Sequence, residues 1–185
     1  ILIVGDFDAD GATASVVAIK ALRLMGARYV DFLVPNRFKH GYGLSPEIVN
    51  EAKAEKDPYL IITVDNGISS NEGTSLARSL DINVIITDHH LPPKELPNAN
   101  AIINPNLSGC DFPSKNLAGV GVCFYLFSSL KSHLDELGYF AEQKIKVPDL
   151  RGVLDLVALG TVADVVKLDQ NNRILVSEGL KRIRQ

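Results

Sequence analysis

Aspartates and histidines able to bind hard divalent cations recur along this chain, each just beyond an apolar run. Asp6, Asp8 and Asp10 stand in GDFDADG after residues 1–4, and Asp65 stands in VDNG after residues 59–64. Asp88, His89 and His90 follow residues 82–87, and Asp164 stands in ALGTVADVV. Crowded carboxylates repel one another and resist ionisation, so a site that gathers them needs cations to neutralise it. A pair of such cations suits hydrolysis of a phosphate ester. These residues therefore favour a two-metal phosphoesterase.

The motifs differ in strength. In D-x-D-x-D an extended segment would set Asp6, Asp8 and Asp10 on one side, with Gly11 turning the chain into a helix. An acidic loop or helix cap is the plain alternative. An EF-hand loop is excluded, because Val17 stands where its bidentate Glu would be. Asp65 alone would read as a turn cap. Two adjacent histidines after a buried strand have little packing use, and Asp164 on an apolar background is costly to bury unless paired or metal-bound. Mostly oxygen ligands with one imidazole suit Mn²⁺ or Mg²⁺ better than the thiolate-loving metals, and manganese is favoured here.

The elements that must position these residues follow from hydropathy. Residues 1–5, 30–34, 59–64, 82–87 and 100–103 read as strands, the third without alternation, as in a strand buried on both faces. Helical spacing marks 11–26, 46–56 and 70–80, with Ser45 as N-cap and Pro46 at the first helical position. From Asn116 the texture is helical, over 117–137, 149–163 and 172–184. The fold class is α/β: a five-stranded parallel sheet flanked by helices (residues 1–108) with a mostly helical C-terminal third (109–185). Ligands of such sheets collect beyond the carboxyl ends of the strands, where the acidic motifs fall.

At 185 residues and 46% hydrophobic content the chain can bury one core, so one domain is expected over 1–185. A start inside a strand and an end inside a helix suggest a piece of something longer. No apolar stretch is long enough to span a bilayer, so no membrane partner is expected. Cys110 and Cys123 form no pairing motif, which favours a reducing compartment and the cytoplasm. The formal charge of −3 argues against a strong stand-alone nucleic-acid binder, but setting the proposed ligand aspartates aside reverses its sign. No G-x-G-x-x-G follows the first strand, which disfavours a dinucleotide binder.

The stretches GDFDADGAT, VPNRFKHGYGLSPE, TVDNGISS, ITDHHLP, INPN, FPSKNLAGVGVCFYL and LDLVALGTVADVVKLDQNNRIL together resemble the DHH phosphoesterase superfamily. Within it they resemble the catalytic domain of the bacterial RecJ-type single-stranded-DNA exonucleases, from end to end. The resemblance implies that Asp6 and Asp8 hold one ion and that Asp10, His89 and Asp164 hold the other, with Asp65 bridging. Asp6 stands where many DHH enzymes have histidine. The implied activity is 5′ to 3′ hydrolysis of single-stranded DNA to 5′-mononucleotides, without a covalent intermediate, in repair and recombination. His90 would contact the phosphate or protonate the leaving oxygen, and Asp88 would orient a histidine.

Arg37, Lys39 and His40 lie on a glycine-bearing loop at the same rim and are candidates to grip phosphates. Gly119 and Gly121 would let backbone N–H groups approach an anion at a helix start. Asn104, with Asn106 and Arg173 as supports, completes the candidate substrate contacts. Aromatic content of 6% without Trp leaves few platforms for base stacking. The resemblance also implies a second phosphoesterase-associated domain and an OB-type module beyond these residues, so that this portion alone binds metal but acts weakly on DNA. The rival readings are a small-substrate DHH phosphodiesterase (oligonucleotide or cyclic dinucleotide), a pyrophosphatase, and a non-catalytic replication scaffold.

Overall fold

The computed structural model describes residues 1–36 and 40–184. Its strands are β1 (Leu2–Gly5), β2 (Asp31–Leu33), β3 (Leu60–Val64), β4 (Asn83–Thr87) and β5 (Ala101–Ile103). All pair in parallel, in the order β2-β1-β3-β4-β5. The helices are α1 (Ala9–Leu24), α2 (Pro46–Lys56), α3 (Asn71–Ser79), α4 (Gly119–Glu136), α5 (Tyr139–Glu142), α6 (Leu154–Ala163) and α7 (Gln170–Ile183).

The pleat explains the layering. Leu2, Val4, Ile61, Val84 and Ile86 point to one face, where α2 and α3 cover them with Ile48, Val49, Ala52 and Ala77. Ile3, Ile62 and Val64 point to the other, against α1, α4 and α6 through Val17, Ala18, Val120, Phe127 and Val157. Burial on both faces is why β3 needs a continuous apolar run. The helical third shares this second core with the sheet.

Several boundaries differ from the sequence expectation, each for a local reason. Helix α1 begins two residues early because the Asp8 carboxylate caps it, accepting the Gly11 N–H at 2.9 Å. The segment expected as one helix over 149–163 opens with a 3-10 turn, Leu150–Val153, started by Asp149 accepting from the Arg151 N–H. Helix α5, absent from the expectation, starts after Gly138 at φ 74°.

The strand order turns back between β1 and β3: β2 lies on one side of β1, and β3, β4 and β5 on the other. Crossovers leave the two strands in opposite directions there, opening a crevice at their carboxyl ends. Asn66, fully buried, holds the crevice floor together, its side-chain amide donating to the carbonyls of Val4 at 3.0 Å and Val64 at 2.9 Å.

Candidate metal centre

Asp6 and Asp65 follow β1 and β3 directly. Since Gly5 pairs with Val64, the two carboxylates start side by side at the mouth of the crevice. Asp65 is buried, its N–H still bonds the Thr87 carbonyl at 3.0 Å, and its φ of 63° turns the chain out of the ladder. Aspartate tolerates this left-handed conformation better than most residues.

The D-x-D-x-D segment is not extended, which corrects the alternation expected from the sequence. Helix α1 has begun by Asp10, so the three aspartates part company. Asp6 and Asp8 group with Asp65, whereas Asp10 groups with His89 and Asp164, the ligand atoms of each set lying within 4.8 Å of one another. Gly11 is needed for packing rather than for a turn: a Cβ there would lie 2.5 Å from the Asp6 carbonyl oxygen and 2.6 Å from its nitrogen.

Asp10 reaches its place across the fold. Its carboxylate accepts the N–H groups of Gly119 at 2.5 Å and Val120 at 2.9 Å, at the N-terminus of α4, where free amides and the helix dipole favour an anion. The AGVG amides, expected to face a substrate anion, are bonded within the chain here. The anion that Gly119 receives belongs to the chain itself, and the Gly121 N–H is used within the helix on Ala118. Glycine is required at 119 because a Cβ would overlap the Asp65 carboxylate and its Cβ.

Asp88 organises the turn after β4. One oxygen accepts the N–H groups of His89 at 2.7 Å and His90 at 3.1 Å and lies 2.7 Å from His90 Nδ1; the other accepts the Ile68 N–H at 2.9 Å. Burial pushes this carboxyl up, but the His90 ring and these donors outweigh it and hold it below the usual range. The Asp88 hydrogen bond raises the His90 pKa in turn. Thus the histidine that Asp88 orients is His90. His89 is turned inward, with Nε2 3.2 Å from Asp65 Oδ1 and 3.6 Å from Asp164 Oδ2. Asp164 arrives from the end of α6, where it is the C-cap.

Asp65 Oδ1, His89 Nε2 and Asp164 Oδ2 are all buried, face one another and lack a hydrogen-bond partner. Such groups are costly in a folded protein, and three of them converging from β3, β4 and α6 form a donor set that suits a divalent cation. Burial raises Asp65, with Asp10 and Asp8 adding to it, to about 10; burial raises Asp10 to about 6; Asp6 and Asp164 are also raised, chiefly by burial. For a carboxyl whose folded pKa lies above its unfolded value, the contribution to stability is present below the unfolded pKa and is lost as pH rises through the folded one. The metal-free protein is therefore expected to melt at progressively lower temperature from about pH 4 upward, through pH 6 and toward 10. Mn²⁺ uptake at pH 7 should release protons, seen as a dependence of calorimetric heat on the buffer's ionisation enthalpy. A buffer-independent heat would contradict these protonation states.

Of the other expected contacts, Arg37 and Lys39 lie outside the described residues. His40 is committed elsewhere: Nε2 is 3.1 Å from Glu51 of α2, and Nδ1 accepts the Asn36 N–H at 3.0 Å. Asn104 is buried beneath the histidine turn, donating to the His90 carbonyl at 2.9 Å and accepting the Asn106 N–H at 2.8 Å, while Asn106 donates to the His89 carbonyl at 2.6 Å. Both brace the turn, a role that turn-forming asparagines hide in sequence. Arg173 is exposed on α7.

Sequence reasoning missed Tyr42. Its hydroxyl is 3.5 Å from the Asp65 carbonyl and from both ring nitrogens of His90, and its ring meets Phe7 and His90 edge-on. Burial and the surrounding carboxylates push the phenol up, so it stays protonated. Tyr42 and Phe7 line a cleft of about 480 Å³ with Asp6, Asp8, Asp88 and His90. The scarce aromatics are thus gathered at the mouth of the centre. The signal was an aromatic between two glycines in HGYG.

A family model described as the DHH family, N-terminal domain, matches residues 1–161. The chain belongs to the DHH family. Within the DHH relatives it is 62% identical over 184 residues to the single-stranded-DNA-specific exonuclease RecJ of Dickeya dadantii, covering all of this chain and 32% of that protein. The chain thus spans about a third of the length of the curated relatives it matches. A crystal structure of exonuclease RecJ bound to manganese superposes with a TM-score of 0.81 at 36% identity, covering 98% of this chain and 43% of that one. RecJ from Thermus thermophilus in complex with Mn²⁺ gives 0.77 at 33%, covering 98% and 24%. The parallel five-stranded DHH architecture expected from the sequence is the one found.

Proposed function

We propose that this DHH chain is the catalytic domain of a RecJ-type exonuclease. It hydrolyses single-stranded DNA from the 5′ end to 5′-mononucleotides with two divalent cations, manganese favoured and magnesium the alternative. The observation that carries this reading is the meeting of three unpartnered buried ligand atoms, from Asp65, His89 and Asp164, at the switch point of the sheet. Asp6 and Asp8 would hold one ion, Asp10, His89 and Asp164 the other, with Asp65 between them. Two groupings within 4.8 Å support that division, and a third, of Asp65 with His89 and His90, spans it. When bound, such a pair supplies water activation and neutralises charge that builds on a phosphodiester.

The remaining chemistry belongs to the chain. Asp88 fixes a proton on His90 Nδ1, so Nε2 is the nitrogen left for a phosphate oxygen or the leaving 3′-oxygen. Its raised pKa favours the charged, donating form. Protonated Tyr42 donates at the same mouth, and the Phe7 and Tyr42 rings offer faces to unstacked bases. Arg37 and Lys39 would hold backbone phosphates. Processive grip would come from a second phosphoesterase-associated domain and an OB-type module, for which the longer relatives leave room. A reducing, cytoplasmic setting is supported by two free thiols, Cys110 and the buried Cys123. Among the described residues no helix is long and apolar enough to cross a membrane.

The test is a substrate series with the natural full-length protein and Mn²⁺: a long 5′-phosphorylated single strand, a dinucleotide and pyrophosphate. The expected kcat/KM is highest for the long strand. Preference for either small substrate would move the assignment to the small-substrate branch, and hydrolysis of none would leave a scaffold.

A further inference from the structure

One buried side chain ties together the two loops that deliver Asp10 and Asp164, although it touches neither. Asn172, in the first turn of α7, is fully buried. Its side-chain amide donates to the carbonyl of Asn116 at 2.6 Å and to that of Lys167 at 2.9 Å. Two carbonyls facing one amide identify the donating nitrogen without ambiguity.

The first of these carbonyls lies three residues before Gly119, on the segment leading into the α4 terminus that clamps Asp10. The second lies three residues after Asp164, on the reversal between α6 and α7. That reversal is strained: Val165 has φ 59° although β-branched, and its side chain is 85% exposed, so its own packing does not hold it there. A conformation of this kind persists only where the surroundings over-determine it. The surroundings here are α7. Asp169 caps that helix by accepting from the Asn172 N–H at 3.0 Å, and its other oxygen accepts from Ser114 at 2.7 Å and Asn116 at 3.1 Å. The latch fastens the 114–116 segment and the 167–169 segment to the same turn.

We propose that Asn172 is a positioning residue for the cation held by Asp10, His89 and Asp164, setting the spacing between the Asp10 clamp and Asp164. This rests on the two-metal reading above. Asp6 and Asp8 stand on the turn between β1 and α1, outside both loops, and only Asp65 packs against the segment, at Gly119, so the larger effect falls on one cation.

The test is calorimetric titration of the full-length protein with Mn²⁺, without substrate. Asn172→Ala is expected to weaken one uptake step by about tenfold, in the range of residues that support metal ligands from behind, and to change the other much less. Asn172→Ser, whose hydroxyl can still donate to one carbonyl, should give a smaller loss and remains folded if alanine does not. Tyr125→Phe serves as the control, because it removes the 2.6 Å bond from the Tyr125 hydroxyl to Asn171. It loosens α7 from α4 without releasing either loop, so it should lower the melting temperature and spare Mn²⁺ affinity. Wild type that takes up no Mn²⁺ would sink the two-metal reading itself. Wild type that binds while the Asn172 variants bind equally well, or lose both steps together in proportion to their loss of stability, would overturn the positioning role alone.

Discussion

Asp65→Ala is expected to remove phosphodiester hydrolysis almost entirely. Asp65 joins the two sides of the centre: it groups with Asp6 and Asp8 and, separately, with His89 and His90, lying 3.2 Å from His89. A catalytic cation contributes several kcal/mol of transition-state stabilisation, and each 1.36 kcal/mol is tenfold in rate. Loss of both positions should therefore lower the single-turnover rate on 5′-phosphorylated single-stranded DNA with Mn²⁺ by roughly three orders of magnitude or more. The fold should survive. The variant removes a carboxyl that resists ionisation in its buried place, which offsets the roughly 1–2 kcal/mol that alanine loses at φ 63°. Asp65→Asn keeps both the shape and the tolerance for positive φ. It should match alanine in inactivity and exceed it in melting temperature. A rate within tenfold of wild type for either variant would remove Asp65 from the centre.

Gly119→Ala should come second in effect, which helix propensity alone would not suggest. In an ordinary helix Gly to Ala stabilises by roughly 0.5–1 kcal/mol. At 119 the new methyl would overlap the Asp65 side chain at its Cβ, Cγ and Oδ1, and overpacking costs about 1–3 kcal/mol. Neither partner can yield cheaply. Asp65 is buried at the end of the central strand, and the 119 amide is bonded to Asp10. The clash wins, and its relief displaces both carboxylates. Single-turnover cleavage is expected to fall by about a hundredfold or more, the scale on which misplacement by an ångström acts, with a melting temperature several degrees lower. Gly121→Ala is the comparison, because a Cβ there meets only the far end of the Leu117 side chain, at 3.0 Å. Equal effects at 119 and 121 would show that ordinary helix packing, not the metal centre, sets the requirement for glycine.

Much of this could be read without coordinates. Short β-branched runs ending in acidic residues gave strands buried on both faces and placed the acids beyond the carboxyl ends, because a parallel strand has one apolar pattern and one functional end. The Ser45-Pro46 start of α2 was legible for the same reason: capping is local chemistry, and Ser45 accepts the Ile48 N–H as expected. The helix start at Ala9 was not, since Asp8 had to choose between serving an extended ligand array and capping α1. Likewise His40 looked like a free basic group, and only the approach of Glu51 from α2 shows where it is committed.

Residue types and their local order were enough to determine the class of fold, the family and the kind of donor atoms, since these depend on periodicity and on which side chains bind hard cations. The partition of those donors required the tertiary structure. Which carboxylates share a grouping, why Gly119 cannot carry a side chain, and that Asn104 and Asn106 brace the histidine turn all depend on contacts between positions far apart in the chain. Asp10 meets the amide of Gly119 more than a hundred residues away. The free energy of burying a carboxylate is decided by what surrounds it in space, and no local pattern encodes which distant amide will be there.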